Sequence, residues 1–488
     1  MTFPENAGTL NGYMFDGEKM GKCPKVFGFV AMLSALTGGA VPSGTPAVAE
    51  STTAESTTGA VVTGPDDDHP AARERQRERQ RQRQNLLRDL TLAVTPVQKG
   101  ETDSRAMPYN WQKADAVANS RNNQDSLSES TNRPVQEADS SSAPQDTSTA
   151  AQTRMRTYLR DLAADEKFTG SVLVMRRGEV LARFAAGEAD EEKHIPNRPD
   201  TVYRVMSVTK QFTSMLVLKL RDRGLLKLDD RVCPYLVPAY LKACPAAWRP
   251  ITIREALTHT SGIPNVEKLP GYLANVTRPT TTRELIQRFV NLPLDFKPGT
   301  SWKYTNSGYV LAGAIIQAVT HKPYGTVLQE LITGPLHLGN TGYSRRYPPE
   351  GYAKGYLTPG SPAPLLNGSE LFAATGIYST VDDIARWDRA FGSYRVAPPA
   401  TVKQAFTPQA PCPSTGCLNL PSTAYAFGWL VDRLQGHRLR YHPGLFLGYT
   451  ASNMYLPDDD IQVVVLSNVQ DTDTAGIARH LATLALDR

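Results

Sequence analysis

Ser207 and Lys210 stand three residues apart where an apolar stretch begins, YRVMSVTKQFTSMLVLK over 203–219. On a helix, side chains at i and i+3 share a face, so the hydroxyl and the amine come within hydrogen-bonding reach. A serine is inert at its own pKa and needs a neighbouring base, and a lysine desolvated in a cleft can be that base. Taken alone, the pattern also reads as a helix-start serine followed by a solvated lysine. Chance supplies about one or two such spacings in a chain of this size, so the weight falls on what accompanies it.

Two further groups carry related chemistry. Tyr304 and Asn306 lie in a polar loop ahead of an apolar helix that starts near Ser307, and His442, Gly444 and Leu445 lie in HPGL within a strand-rich tail. Singly they read as a packing tyrosine, a helix-capping asparagine and a strand-end turn. In this order, Ser-x-x-Lys, Tyr-x-Asn and His-x-Gly resemble the serine β-lactamase and penicillin-binding family. The branch is that of class C β-lactamases, D-Ala-D-Ala carboxypeptidases, D-aminopeptidases and related esterases. The likeness extends to KLDD (227–230), LTHTSGIPN (257–265), FKPGTSWKYTNSGY (296–309) and FAATGIYSTVDDIARW (372–387), and spans about 153–488.

That resemblance implies a division of labour. Ser207 would attack an acyl carbonyl and form an ester, splitting one hard hydrolysis into two easier steps. Lys210 and Tyr304 would share the base role, the ammonium lowering the phenol's pKa. Asn306 would donate to the substrate's amide carbonyl and accept from Lys210. The N–H groups of Ser207 and Leu445 would form the oxyanion hole, worth about 3–4 kcal/mol per donor. His442 would line the site and tune the Tyr304–Lys210 pair. The implied fold is α+β and β-lactamase/transpeptidase-like, an antiparallel sheet flanked by helices with a mainly helical subdomain.

One departure bears on substrate. Where many relatives carry threonine or serine between the His/Lys and the Gly, this chain has Pro443, followed by Leu445. Proline offers neither hydroxyl nor N–H, and losing such a contact to a substrate carboxylate costs about 1.5–3 kcal/mol. Arg438 and Arg440 on the preceding strand are candidates to compensate, although alternation sends both to one face, which is equally solvent. The expectation is a secreted serine hydrolase of esters or amides, including D-amino-acid peptides. The alternatives are a D-Ala-D-Ala carboxypeptidase or class C-type β-lactamase, and a non-catalytic cell-wall-binding or β-lactam-sensing protein. His259, in the LTHTSG turn, reads as structural, and Asp382-Asp383 as a helix cap.

Elements that would position these residues are legible around them. Met155, Leu159 and Leu162 share a helical face. Gly170–Met175 and Val180–Ala185 form a hairpin about Arg176-Arg177-Gly178-Glu179. The Ser207 stretch continues as a helix through Arg223, with Gly224 closing it, and Ile253–Thr258 is a further short helix. From Phe427 the tail reads as four strands and a final helix, Ala475–Leu486. Helix and hairpin first, helices in the middle and strands last predict one α+β domain whose two ends share a sheet.

The rest of the chain bounds the setting. Of 488 residues, 1–49 read as an export segment with an N-terminal extension, in which Met20 is a candidate start, and 50–152 as a disordered polar linker with an arginine-rich run at 71–89. The apolar run of the export segment is too short to span a bilayer. A formal charge of +5 is too small to imply nucleic acid. No motif suggests a metal or a nucleotide cofactor. Four of the five cysteines form two close pairs, Cys233 with Cys244 and Cys412 with Cys417. Two short-loop disulfides suit an exported chain, although sequence alone leaves three connectivities open, with free buried thiols as the alternative. The expected product is a secreted, periplasmic or cell-surface monomer whose partner is a small-molecule or peptide acyl substrate, or cell-wall peptidoglycan.

Overall fold

The computed structural model describes residues 150–345 and 351–487. The export segment, the arginine-rich run and nearly all of the linker lie outside the described residues. Helix α1 (Ala150–Ala164) starts ahead of Thr153 and buries Met155 and Leu159. The hairpin follows as β1 (Gly170–Arg176) and β2 (Glu179–Ala186). Arg177 and Gly178 take positive φ between the two strands.

The middle of the chain is helical. Helix α2 (Thr209–Asp222) carries Lys210 in its first turn and ends beside Gly224, whose φ of 73° suits a residue without Cβ. Next come α3 (Ile253–Leu257), opened by a Thr252–Glu255 capping box, and α4 (Ser307–Thr320). A Cβ on Gly308 would lie 2.3 Å from the Ala256 carbonyl, so glycine is what lets α3 and α4 touch backbone to backbone. The same layer includes α5 (Gly368–Thr375) and α6 (Val381–Gly392), with shorter helices around them.

The tail supplies β3 (Ala410–Pro411), β4 (Ala424–Tyr425), β5 (Leu430–Leu434), β6 (His437–Phe446), β7 (Tyr449–Leu456) and β8 (Ile461–Ser467), then α7 (Thr474–Leu486). These strands join the hairpin in one sheet, ordered β3-β4-β5-β6-β7-β8-β1-β2, with antiparallel pairing throughout. Alternation along the strands feeds two cores. Val172, Val463 and Val465 pack with α1 and α7, whereas Leu173, Val464 and Leu466 pack with the helical layer. The fold is therefore α+β, with the two chain ends in one sheet as the pattern predicts.

Both close cysteine pairs are disulfides, Cys233–Cys244 and Cys412–Cys417. Asp382-Asp383 is not the cap. Thr380 caps α6, accepting from the Asp383 N–H, while the buried Asp383 carboxylate accepts from Asn340 N and Thr341 Oγ1 and pairs with Arg386. A threonine immediately before the helix can reach the N3 amide, which leaves the acidic residue free to tie down a loop.

Candidate active site

The nucleophile turn sits between helix and sheet. Residues Met206–Val208 form a single 3-10 turn leading into α2. Met206, directly before Ser207, holds φ at 46°. That conformation costs a residue with a side chain about 1–3 kcal/mol. It persists because Met206 is fully buried and the Val205 N–H is fixed to the Ile377 carbonyl. Strand β6 closes the other side. Its pairing with β5 ends at Tyr441 while its pairing with β7 runs to Phe446, so the edge beyond Tyr441 is open to the turn. A Cβ on Gly444 would meet the Val205 carbonyl at 2.4 Å and Ser207 N at 3.2 Å. Only glycine lets the strand lie this close to the serine.

Two side chains converge on Ser207. Lys210 Nζ lies 3.0 Å from Ser207 Oγ, and Tyr304 Oη lies 2.7 Å from the same oxygen. Lys210 Nζ also donates to Asn306 Oδ1 at 2.6 Å and to the Ala374 carbonyl at 3.0 Å. These interactions join α2 to the loop before α4 and to α5. Lys210 is fully buried, and burial pulls its amine down to about 7, against a smaller upward pull from Glu267. Tyr304 goes the other way: burial pushes its phenol well above the ordinary value, only partly offset by its bond to Ser207. This corrects the expectation that Lys210 lowers the phenol, because desolvation outweighs the charge of an amine that is itself losing its proton.

His442 and His259 support the site without touching Ser207. His442 is fully buried, its Nε2 3.1 Å from Tyr425 Oη and its Nδ1 2.6 Å from the Pro443 carbonyl. Burial, with Lys210 nearby, drives it down to about 3. It is a neutral wall, its ring 6.2 Å from that of Tyr304, so its influence on Tyr304 and Lys210 lies in adding no charge. His259 accepts from Thr305 N at 3.2 Å, and its ring packs tilted against that of Tyr304 at 4.4 Å. Its structural reading stands, and the structure it holds is the tyrosine loop. Leu445 is partly exposed at the rim.

The arginines do not compensate for Pro443. Arg438 is held by Asp458, while Arg440 is buried over the Phe406 ring with Nη1 on the Leu439 carbonyl. Among the described residues no group of His, Cys, Asp and Glu could hold a metal, and no helix is long and apolar enough to cross a membrane.

Sequence reasoning missed Glu267. Its backbone N–H and that of Asn306 share Asn265 Oδ1, and burial raises its carboxyl above the ordinary value, with Lys210 and Asn306 pulling the other way. The available signal was its position two residues beyond LTHTSGIPN, behind a helix-capping asparagine.

Fold and site together define a serine β-lactamase-like domain. The family model named Beta-lactamase matches residues 155–487, and the chain belongs to that family. It is 27% identical over 318 residues to "Protein flp" of Staphylococcus aureus (strain COL), covering 64% of this chain and 62% of that protein, less than two thirds of its length. It is 26% identical over 339 residues to "Penicillin-binding protein 4*" of Bacillus subtilis (strain 168), covering 65% of this chain and 72% of that one. Among solved structures, a D-stereospecific amidohydrolase from Streptomyces sp. is 27% identical with a TM-score of 0.55, covering 67% of this chain and 96% of that one. The D-amino acid amidase of Ochrobactrum anthropi SV3, at 22% identity and a TM-score of 0.60 over 69% of this chain and 99% of that one, shares the fold.

Proposed function

We propose that this chain is an exported serine hydrolase that cleaves an ester or amide, including D-amino-acid derivatives, through an acyl-enzyme on Ser207. The observation that carries the reading is that one oxygen, Ser207 Oγ, meets both a buried amine and a half-buried phenol, at 3.0 and 2.7 Å. A neutral Lys210 donates two N–H bonds, to Asn306 and Ala374, and turns its lone pair to the Ser207 proton. The Ser207 oxygen then attacks the acyl carbonyl as that proton passes to Lys210, and the Ser207 and Leu445 N–H groups receive the oxyanion. Tyr304, protonated at rest, gives its proton to the departing amine or alkoxide and recovers one from Lys210. Water then replaces the leaving group and the same groups run in reverse, releasing the acid.

Pro443 and the engaged arginines argue against a substrate read by its carboxylate, which places carboxypeptidase or β-lactamase activity second. Turnover of a short-chain p-nitrophenyl ester, a D-amino-acid p-nitroanilide, nitrocefin and a D-Ala-D-Ala peptide tests this ranking. The ester and the anilide should lead. Dominant nitrocefin or D-Ala-D-Ala turnover would reverse it.

A further inference from the structure

Strand β6 loses one neighbour where it passes the nucleophile. Its register with β5 ends at Leu430 against Tyr441, while its register with β7 continues through Pro443 against Ser452 as far as Phe446. Proline has no N–H to give to a ladder, so it is tolerated where a strand edge is unpaired. In an antiparallel strand the N–H and C=O of one residue point to the same side, and alternate residues share that side. The Pro443 carbonyl and the Leu445 N–H therefore lie on one open edge, beside the nucleophile turn that Gly444 lets in close.

That carbonyl has no strand to bond, and His442 supplies the partner. Its Nδ1 lies 2.6 Å from the Pro443 oxygen. A carbonyl only accepts, so Nδ1 carries the hydrogen. The ring is neutral, burial having driven it to about 3, and a neutral imidazole has a single N–H. Nε2 is then a bare acceptor inside the protein, and Tyr425 Oη lies 3.1 Å from it. The tyrosine is the donor by elimination. Tyr309, the neighbouring phenol, spends its own hydrogen on the Leu257 carbonyl at 2.8 Å.

Tyr425 is itself firmly placed. It is fully buried on β4, where Gln409 N donates to its carbonyl at 2.9 Å, and its ring packs against His259 at 4.6 Å and Trp302 at 6.1 Å. Cys412 N, at the start of the Cys412–Cys417 disulfide loop, donates to the Thr423 carbonyl at 3.1 Å and ties down the entry to that strand.

From these contacts we infer that Tyr425 is a positioning residue for the oxyanion hole. It donates to His442 Nε2, which fixes the imidazole hydrogen on Nδ1. Through that hydrogen it holds the Pro443 carbonyl, so that the open edge keeps the Leu445 N–H turned to the tetrahedral oxygen. The inference rests on the acyl-enzyme reading and deepens it. It also gives Pro443 a use: proline puts no donor on the edge, which leaves the Leu445 N–H as the first free donor beyond Tyr441. His442, its one hydrogen committed, has none to give to Tyr304 or to a substrate.

Two measurements on the full chain test this. Long-range proton–nitrogen NMR of histidine-labelled wild type reads the tautomer directly, with His442 assigned by its loss from His442→Asn. The Nδ1–H form is expected at pH 7, and an Nε2–H form or an imidazolium overturns the inference. The other histidine signals show whether each variant is folded. Kinetics then follow a short-chain p-nitrophenyl ester. Tyr425→Phe removes one oxygen and should lower kcat about tenfold, less than the roughly 10²–10³-fold of deleting an oxyanion donor, with KM within about threefold. His442→Asn can keep an N–H for the Pro443 carbonyl and offers Tyr425 no ring nitrogen, so in that background Tyr425→Phe should change kcat by less than about twofold. An equal loss in both backgrounds overturns the positioning role, because Tyr425 would then act by packing alone. An unchanged kcat in Tyr425→Phe overturns it too, as does loss of all turnover in His442→Asn. A wild type that neither turns over the ester nor takes a fluorophosphonate strikes the acyl-enzyme reading instead, and the NMR result still decides the tautomer.

Discussion

Lys210 Nζ lies 3.0 Å from Ser207 Oγ with no exposure to solvent. A base inside protein titrates where its surroundings place it, and here burial brings it to about 7. The active form is the neutral amine, so kcat/KM should rise with pH along a limb centred near 7 and then level off. Lys210→Arg, which keeps charge and cannot deprotonate, should lower kcat/KM by about 10²–10⁴-fold. A flat pH profile between 5 and 9 would contradict the base assignment.

The same burial has a stability consequence. Unfolded Lys210 holds its proton up to the ordinary 10.5, whereas the folded chain releases it near 7. Between those values the unfolded state binds more protons, so the lysine's contribution to stability improves as pH rises, and below 7 the cost is fully present. Lys210→Met should therefore be more stable than wild type by a few kcal/mol at pH 6, with the gap narrowing toward pH 10. Urea unfolding of both proteins across that range checks it.

Gly444 separates fold from alignment. Its replacement by alanine sets a methyl 2.4 Å from the Val205 carbonyl, so β6 must retreat from the nucleophile turn. A displacement near 1 Å at reacting groups costs about 10²-fold. Acylation should slow by that order in Gly444→Ala, while circular dichroism shows the sheet retained.

Away from the site, Glu370 is fully buried and depends on Arg288, which meets its two oxygens at 2.5 and 2.7 Å. Arg288→Met strands that carboxylate and should cost about 3 kcal/mol in urea unfolding, with Arg288→Met/Glu370→Gln recovering part of it. A loss below about 1 kcal/mol would show that Glu370 finds other partners.

Much of this architecture is legible in the residues themselves. The hairpin at Gly178, the α4 start at Ser307 and the tail strands follow alternation and turn chemistry, which are local. Ser207, Lys210, Tyr304 and Asn306 could be grouped because their order is distinctive, and the structure brings the four together. Two things were not legible. The direction of the Tyr304 shift depends on how completely α2, α4 and β6 exclude water, a property of packing. Glu267 lies outside the distinctive text, and its segment meets the start of α4 only because Asn265 binds Asn306 and Ser307 binds Val266. For the same reason Arg438 and Arg440 looked available in sequence, although Asp458 and Phe406 had already engaged them.

The central claim is that Ser207 carries the acyl group. Wild type and Ser207→Ala are each treated with a fluorophosphonate and with a labelled penicillin, then digested and read by mass spectrometry. The account predicts a fluorophosphonate adduct on the peptide bearing Ser207, a weaker or absent penicillin adduct at the same residue, and neither in Ser207→Ala. Labelling of wild type at another residue, or labelling that survives Ser207→Ala, would contradict it.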